Sequence, residues 1–358
     1  YKKMNRRQFI NSIISALLFF FQVRFGAAEK TNNPISDFFR SPDLIKNNTV
    51  ILMDPIFLQH HISPGHPETP KRMEYIQKAM IECDLYRITR QISQNTEALK
   101  WIRKVHSDEH IQAIKKRFPI AHKVATAGVS ACLMGVDKVA SKENINVFCA
   151  TRPPGHHALN TGREEGFCYY NNIAIAAKYA QKKYKLEKIL IVDWDYHHGN
   201  STEAIFYNDP SVLFFSTHDQ FAYPGTGDPS KKGKGDGVGY NINIHLPCGA
   251  TDKMIIDEFN NILVPAAKKF QPDLVLISAG FDSRTNDLLG CFDITDNGFI
   301  TLTKIVMNIA NEYCNDHLVS ILEGGYNLEG NAKAVATHVS TLETNIFSDS
   351  AVSPSGCQ

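Results

Sequence analysis

The sequence has no Cys-x-x-Cys pair, no dense basic tract, no internal repeat and no long linker. Basic and acidic residues nearly cancel, 38 against 37, so a dedicated nucleic-acid binder is not expected. Eight cysteines stand at 83, 132, 149, 168, 248, 291, 314 and 357. Without a Cys-x-x-Cys spacing, and with several in core-like contexts, most read as free buried residues; a disulfide framework is the alternative. What is present is ample apolar material: 43% of 358 residues are hydrophobic and 21% charged. That suffices for one large core or two modest ones. It excludes a small disulfide-held scaffold, a collagen-like repeat and a mostly disordered chain.

One segment departs from the average. Residues 1–28 hold Lys2, Lys3, Arg6, Arg7 and Arg24 but no acidic residue, which leaves the remainder mildly acidic. Arg6-Arg7 precede an apolar run from Phe9 to Phe21, and Gly26-Ala27-Ala28 supplies small residues. This is the order of an export signal, and Asn5-Arg6-Arg7-Gln8-Phe9-Ile10 resembles the twin-arginine version. The run is short for a membrane span, so no stable insertion is expected once the signal is removed; a retained anchor or a buried helix are the other readings. A functional signal implies a periplasmic or secreted protein, and its failure a cytoplasmic one.

From 29 to 346 the chain reads as one α/β domain, followed by a weakly patterned tail at 347–358. Apolar runs at 146–150, 189–192, 212–215, 274–278 and 318–322 read as strands, mostly of the continuous kind found in buried parallel sheets. Residues 240–245 alternate and belong nearer an edge. Helical patterns at 122–134, 173–184, 252–270 and 301–314 lie between them, with Asp296-Asn297-Gly298 as a helix approach or turn. Residues 223–239, rich in Gly, Pro, Ser and Lys, read as a solvated loop.

Polar residues concentrate where strands end. The strand at 189–192 runs into Asp193-Trp194-Asp195-Tyr196-His197-His198-Gly199-Asn200. Read as extended chain, Asp193, Asp195 and His197 share one side. Asp282 follows the strand at 274–278, and ligands collect beyond the carboxyl ends of parallel strands. Asp195, His197 and Asp282 therefore converge as three N/O donors with an open coordination position, a set that suits Zn²⁺. Fe²⁺ suits it too. Plainer readings are a hydrogen-bonded turn for the first segment and a helix N-cap for Asp282. His156-His157, after Arg152-Pro153-Pro154-Gly155, suit a water-activating pair. Tyr326, after Glu323-Gly324-Gly325, is placed to donate to an oxyanion, or is an ordinary half-buried tyrosine.

These four segments together resemble the zinc-dependent histone deacetylase superfamily, most closely its class II and bacterial members. That superfamily also contains acetylpolyamine amidohydrolases and acetoin-utilization proteins. Gly65-His66-Pro67-Glu68-Thr69-Pro70-Lys71-Arg72 is similar to its early loop, and the likeness spans roughly residues 54–331. The resemblance implies a single-domain arginase/deacetylase-like three-layer α/β fold, with a central, mostly parallel sheet of about eight strands. It implies Asp195, His197 and Asp282 as metal ligands and His156, His157 and Tyr326 as catalytic residues. Asp193 and Asn200 would be the partners of the two histidines. Phe167, Tyr223 and Leu289 would line the acyl tunnel, Leu289 where polyamine-selective relatives carry a glutamate, and Arg72 would lie near an inner cavity. Backbone oxygens around Asp193, Asp195, His197, Ser216 and Thr217 would hold a structural K⁺. Ser201 and Tyr196 depart from the family pattern without removing a ligand.

The function implied is zinc-dependent removal of acetyl or longer acyl groups from lysine side chains of peptides or proteins. Deacetylation of acetylpolyamines or another small acetylated amine is the enzymatic alternative. A non-catalytic acyl-ligand or metal-binding module is the alternative from another class.

Overall fold

The structure, a computed structural model, describes residues 49–344 apart from 94, 96 and 145. The segments 1–28 and 347–358, set apart above, lie outside the described residues. In chain order the elements are β1 Thr49–Met53, α1 Lys71–Glu82, β2 Thr89–Gln91, α2 Ala98–Ile102, α3 Asp108–Arg117 and α4 Pro119–Ala140. After these come β3 Asn146–Cys149, α5 Asn172–Tyr184, β4 Ile189–Asp193, α6 Asn200–Phe206, β5 Val212–His218 and β6 Asn241–His245. The chain continues through α7 Asp252–Glu258, α8 Val264–Phe270, β7 Leu274–Ala279, α9 Asp296–Tyr313, β8 Leu318–Leu322 and α10 Leu328–Glu343.

The eight strands form one sheet in the order β2-β1-β3-β8-β7-β4-β5-β6, every neighbour parallel. Strands β1, β3, β4, β5, β7 and β8 are buried along their whole length, as expected when helices cover both faces. One set of helices, α4 with α5 and α3, packs on the sheet; a second set, α10 with α1 and α9, packs on it separately. These are the three layers. At one edge β6 alternates between buried and half-buried residues, as its sequence pattern implied. The three residues of β2 form the other edge and are too few to give a periodic signal.

Two helices begin earlier than their apolar periodicity suggests. Pro119 occupies the first turn of α4, where its missing N–H is no loss. Thr295 caps α9, its hydroxyl accepting from Gly298 N–H at 3.2 Å, so Asp296-Asn297-Gly298 is the first turn of the helix. The helix expected over 252–270 is interrupted by a π-helical turn at Phe259–Leu263. Pro265, just beyond it, has no N–H to donate into a regular ladder.

Among the described residues the cysteines divide between the two readings. Cys132, Cys149, Cys168 and Cys314 are free and buried, but Cys248 and Cys291 form a disulfide. Both stand in loops beyond strand ends, their Cα atoms 5.1 Å apart. Gly249 N–H donates to Cys291 O at 2.7 Å and holds the two loops together. Cys83 is also disulfide-bonded. Among the described residues, no helix is long and apolar enough to cross a membrane.

Candidate metal centre and active site

The site stands on the four adjacent strands β3, β8, β7 and β4, at their carboxyl ends. The sheet ends at Asp193, so the chain is not extended through His197 as the period-two reading assumed. It turns instead, because carboxylates capture the backbone: Asp195 N–H donates to Asp193 Oδ1 (3.2 Å) and His197 N–H to Asp195 Oδ1 (2.8 Å). Trp194, wholly buried, anchors this turn from behind. Its ring meets His338, Phe299 and Phe259 at 5.4, 6.4 and 6.5 Å. Full burial of aromatics of this size contributes roughly 2–3 kcal/mol each, so the turn is pinned by the core.

Asp195, His197 and Asp282 each offer one donor atom, all within 4.8 Å of one another. His197 Nδ1 is 2.9 Å from Asp282 Oδ2 and 3.2 Å from Asp195 Oδ1. Asp282 Oδ1 accepts from Tyr196 N–H at 2.9 Å, and Asp195 Oδ2 from Gly324 N–H at 2.9 Å. A Cβ at Gly280 or Gly324 would strike these carboxylates, so both positions require glycine for close approach. Burial, and then the charge of Asp195, push Asp282 up to about 7. Burial pushes Asp195 up as well, but the charges of His156 and His197 outweigh it and hold Asp195 below its usual range. Burial alone would lower His197; its hydrogen bonds to Asp195 and Asp282, with their charges, raise it to about 10. The cluster thus draws a proton onto His197, and a divalent cation would satisfy the same field. Two carboxylates and one imidazole suit Zn²⁺ or Fe²⁺, so these residues fit such an ion.

His156 and His157 lie beside the cluster, their ring centroids 4.0 Å apart. His156 Nδ1 meets Asp193 Oδ2 at 3.0 Å, and His157 Nδ1 meets Asn200 Oδ1 at 2.8 Å. Burial opposes a proton on His156, yet Asp195 and Asp193 raise its pKa well above 6.5. Burial and then the charge of His156 drive His157 well below 6.5. Neutral His157 must donate Nδ1–H to Asn200, which leaves the lone pair on Nε2.

Tyr326 is 4% exposed, and burial raises its pKa well above 10, so its hydroxyl stays protonated. Phe167 meets the Tyr326 ring edge-on at 5.7 Å, and Tyr223 meets His157 edge-on at 5.1 Å. Each expected tunnel aromatic therefore abuts an expected catalytic residue. Leu289 is 39% exposed on the loop after Asp282, with its N–H donated to Asp287 Oδ1 at 2.9 Å. Arg72 is fully buried beneath the Gly324-Gly325 turn, donating to Gly325 O and Glu323 O at 2.6 Å each. Its guanidinium lies 5.0 Å from the Tyr326 ring centroid. Ser216 pairs with Asp193 across β5 and β4, with Thr217 beside it. Ser201 is buried and fully used: it donates to Ala158 O at 2.5 Å and accepts from Asn171 Nδ2 at 3.1 Å. Tyr196 directs its hydroxyl to Asp219 Oδ2 at 3.1 Å.

Three residues that matter were not assigned roles from the sequence. Glu323 accepts from Gly155 N–H at 2.6 Å and His156 N–H at 3.3 Å, fixing the histidine loop; burial pushes its carboxyl up to about 7. Glu68 joins Arg72 and Arg152, all three fully buried. Asp287 binds the backbone of the Tyr326 turn. Glu68 and Glu323 were legible as parts of motifs, whereas Asp287 is one polar residue in a polar loop.

Comparison with known proteins gives the family and the fold. A histone deacetylase domain family matches residues 66–342. A probable deacetylase of Archaeoglobus fulgidus is 35% identical, over 79% of this chain and 82% of that protein. Histone deacetylase 10, chloroplastic, of Oryza sativa subsp. japonica is 33% identical, over 87% and 77% respectively. The crystal structure of the HDA15 HD domain superposes with a TM-score of 0.76 at 31% identity, covering 83% of this chain and 91% of that one.

Proposed function

The chain belongs to the histone deacetylase family, and from that premise we propose that it is a metal-dependent amidohydrolase releasing acetyl or longer acyl groups from lysine side chains of peptides or proteins. The observation that carries this reading is the convergence of Asp195, His197 and Asp282 within 4.8 Å. Those three would hold Zn²⁺ or Fe²⁺, which when bound supplies Lewis-acid charge and an acidified water. His157, neutral with Nε2 free, takes the proton of the attacking water. His156, charged and tied to Asp193, supplies electrostatic support, and the two rings titrate as a pair. The pair returns a proton to the leaving nitrogen, giving amine and carboxylate. Tyr326 donates its hydroxyl to the developing oxyanion. Phe167 and Tyr223 flank the aliphatic stem of the acyl-lysine. Backbone oxygens around Asp193, Asp195, His197, Ser216 and Thr217 would take a structural K⁺ behind the site.

A second reading, a small cationic acetylated amine as substrate, is favoured by one feature. Glu164 and Glu165 precede Gly166-Phe167, and Glu164 accepts the Phe167 N–H. The apolar Leu289 favours the lysine substrate instead. The test compares acyl release from acetyl-lysine peptides, longer acyl-lysines and acetylpolyamines by protein loaded with Zn²⁺ or Fe²⁺. Chelation should abolish turnover, and Tyr326→Phe should lower kcat on the order of 10²–10³-fold. A faster reaction on acetylpolyamines selects the second reading. Tight acyl-peptide binding by folded, metal-loaded protein without turnover would overturn both.

A further inference from the structure

The turn that carries Tyr326 is held from two sides by opposite charges. Arg72 takes its carbonyls, donating to Glu323 O and Gly325 O. Asp287 takes its amides: Oδ2 accepts from Tyr326 N–H at 2.7 Å and from Asn327 N–H at 2.9 Å. The other oxygen of the same carboxylate, Oδ1, accepts from Leu289 N–H at 2.9 Å. One side chain thus joins the loop after β7, which carries Leu289, to the turn after β8, which carries Tyr326. The loop is itself anchored. Arg284 pairs with Asp296 at 2.8 Å, and Asn327 Nδ2 donates to Asn286 O at 2.9 Å. The turn has little stiffness of its own, because Gly324 and Gly325 precede Tyr326 and Gly325 has φ 120°.

We propose that Asp287 is a positioning residue for Tyr326, setting the place of its hydroxyl through the backbone and tying that place to Leu289. This rests on the deacetylase reading above. The chemistry requires a carboxylate. Three N–H groups approach from two directions, and only an ionised carboxyl accepts on both oxygens. Hydrogen bonds to an ionised acceptor are roughly twice as strong as neutral ones. Asparagine would turn a donor toward one of the two sides. A displacement of about 1 Å in a group that stabilises an oxyanion is worth on the order of 10²-fold in rate.

The experiment uses metal-loaded full chain in four forms: wild type, Asp287→Ala, Tyr326→Phe and the double variant, with Asp287→Asn as a milder replacement. Asp287→Ala should lower kcat on acetyl-lysine peptide by roughly 10–100-fold while KM changes less than about 3-fold. In the Tyr326→Phe background the same change should lower kcat less than about 3-fold, because the hydroxyl it positions is gone. Amide hydrogen exchange should rise together in segments 286–290 and 324–328. Asp287→Asn should fall between wild type and alanine in both readouts, and it serves alone if the alanine variant does not fold. An undiminished loss of kcat in the Tyr326→Phe background would overturn the proposal. So would exchange that rises in 286–290 alone. Exchange needs no turnover, so a wild type that failed to deacetylate would overturn the functional reading while the coupling of the two segments was still measured.

Discussion

Replacing Glu68 by glutamine tests whether the buried ion network supports the site. Glu68 Oε1 lies 2.7 Å from Arg152 Nε and 3.4 Å from Arg72 Nη1, and Oε2 lies 2.5 Å from Arg152 Nη2. All three side chains are 0% exposed, so water does not screen the change. Glutamine keeps the shape but sets an NH₂ against a guanidinium and leaves two buried cations without their counter-charge. Breaking a buried pair this way costs about 3–5 kcal/mol, a large part of an ordinary domain's 5–15 kcal/mol. Burial alone would raise the Glu68 pKa, but Arg152 and Arg72 hold it below 4.5. A depressed folded pKa means that the contribution is complete above about 4.5 and is lost as pH falls through the folded value. Urea denaturation of metal-loaded wild type and Glu68→Gln at pH 7.5 should therefore differ by about 3–5 kcal/mol, and the gap should narrow below pH 4.5. Folded variant should also lose kcat, because Arg72 carries the Glu323 and Gly325 carbonyls next to Tyr326. A difference under about 1 kcal/mol at pH 7.5, or a gap that widens in acid, would refute the reasoning.

Two further outcomes are expected. Thr303 Oγ1 donates to Phe299 O, so neutral His338 donates Nδ1–H to Thr303 and accepts at Nε2 from Ser320. Burial lowers its pKa to about 3, so stability is complete above 6.5 and falls by about 1.4 kcal/mol per pH unit as pH drops toward 3; His338→Gln should show a shallower acid slope, and equal slopes would count against this. Reducing Cys248–Cys291, or Cys248→Ser, should lower stability by about 2–4 kcal/mol, since the bridge closes a 43-residue separation; a thermal melt unmoved by dithiothreitol would contradict it.

Sequence reasoning succeeded where a local pattern carried the information. Continuous apolar runs marked β3, β4, β7 and β8, and the Asp195–His197–Asp282 cluster was legible because its members follow such runs. Thr49–Met53 carries the same signal and forms β1 beside β3, although it was not among the expected strands. Thr89–Gln91 is too short for any period to register. Partners distant along the chain left no trace. Glu68 meets Arg72 four residues on, but Arg152 lies 84 away, and Cys248 meets Cys291 without a spacing rule. The turn at Asp195–His197 escaped a periodic reading because side-chain carboxylates, not a strand ladder, hold its amides.

The same carboxylates explain why fold and site depend on each other. Five acidic side chains, Glu68, Asp193, Asp195, Asp282 and Glu323, are buried at or below 1% exposure. Glu68 is neutralised by two arginines, and Asp193 is bound by His156. The other three accept backbone amides from Gly324, His197, Tyr196, Gly155 and His156, together with one histidine between two aspartates and the nearby charge of His156. Amides orient a carboxylate but carry no net charge, so Asp282 and Glu323 are still pushed up to about 7. The protein's own groups therefore suffice to aim these oxygens inward but not to hold them all ionised at neutral pH. A divalent cation on Asp195, His197 and Asp282 adds the missing charge where the upward pressure on Asp282 is generated, and should bind more tightly as pH rises through about 7 and on toward about 10, the values at which Asp282 and His197 give up their protons.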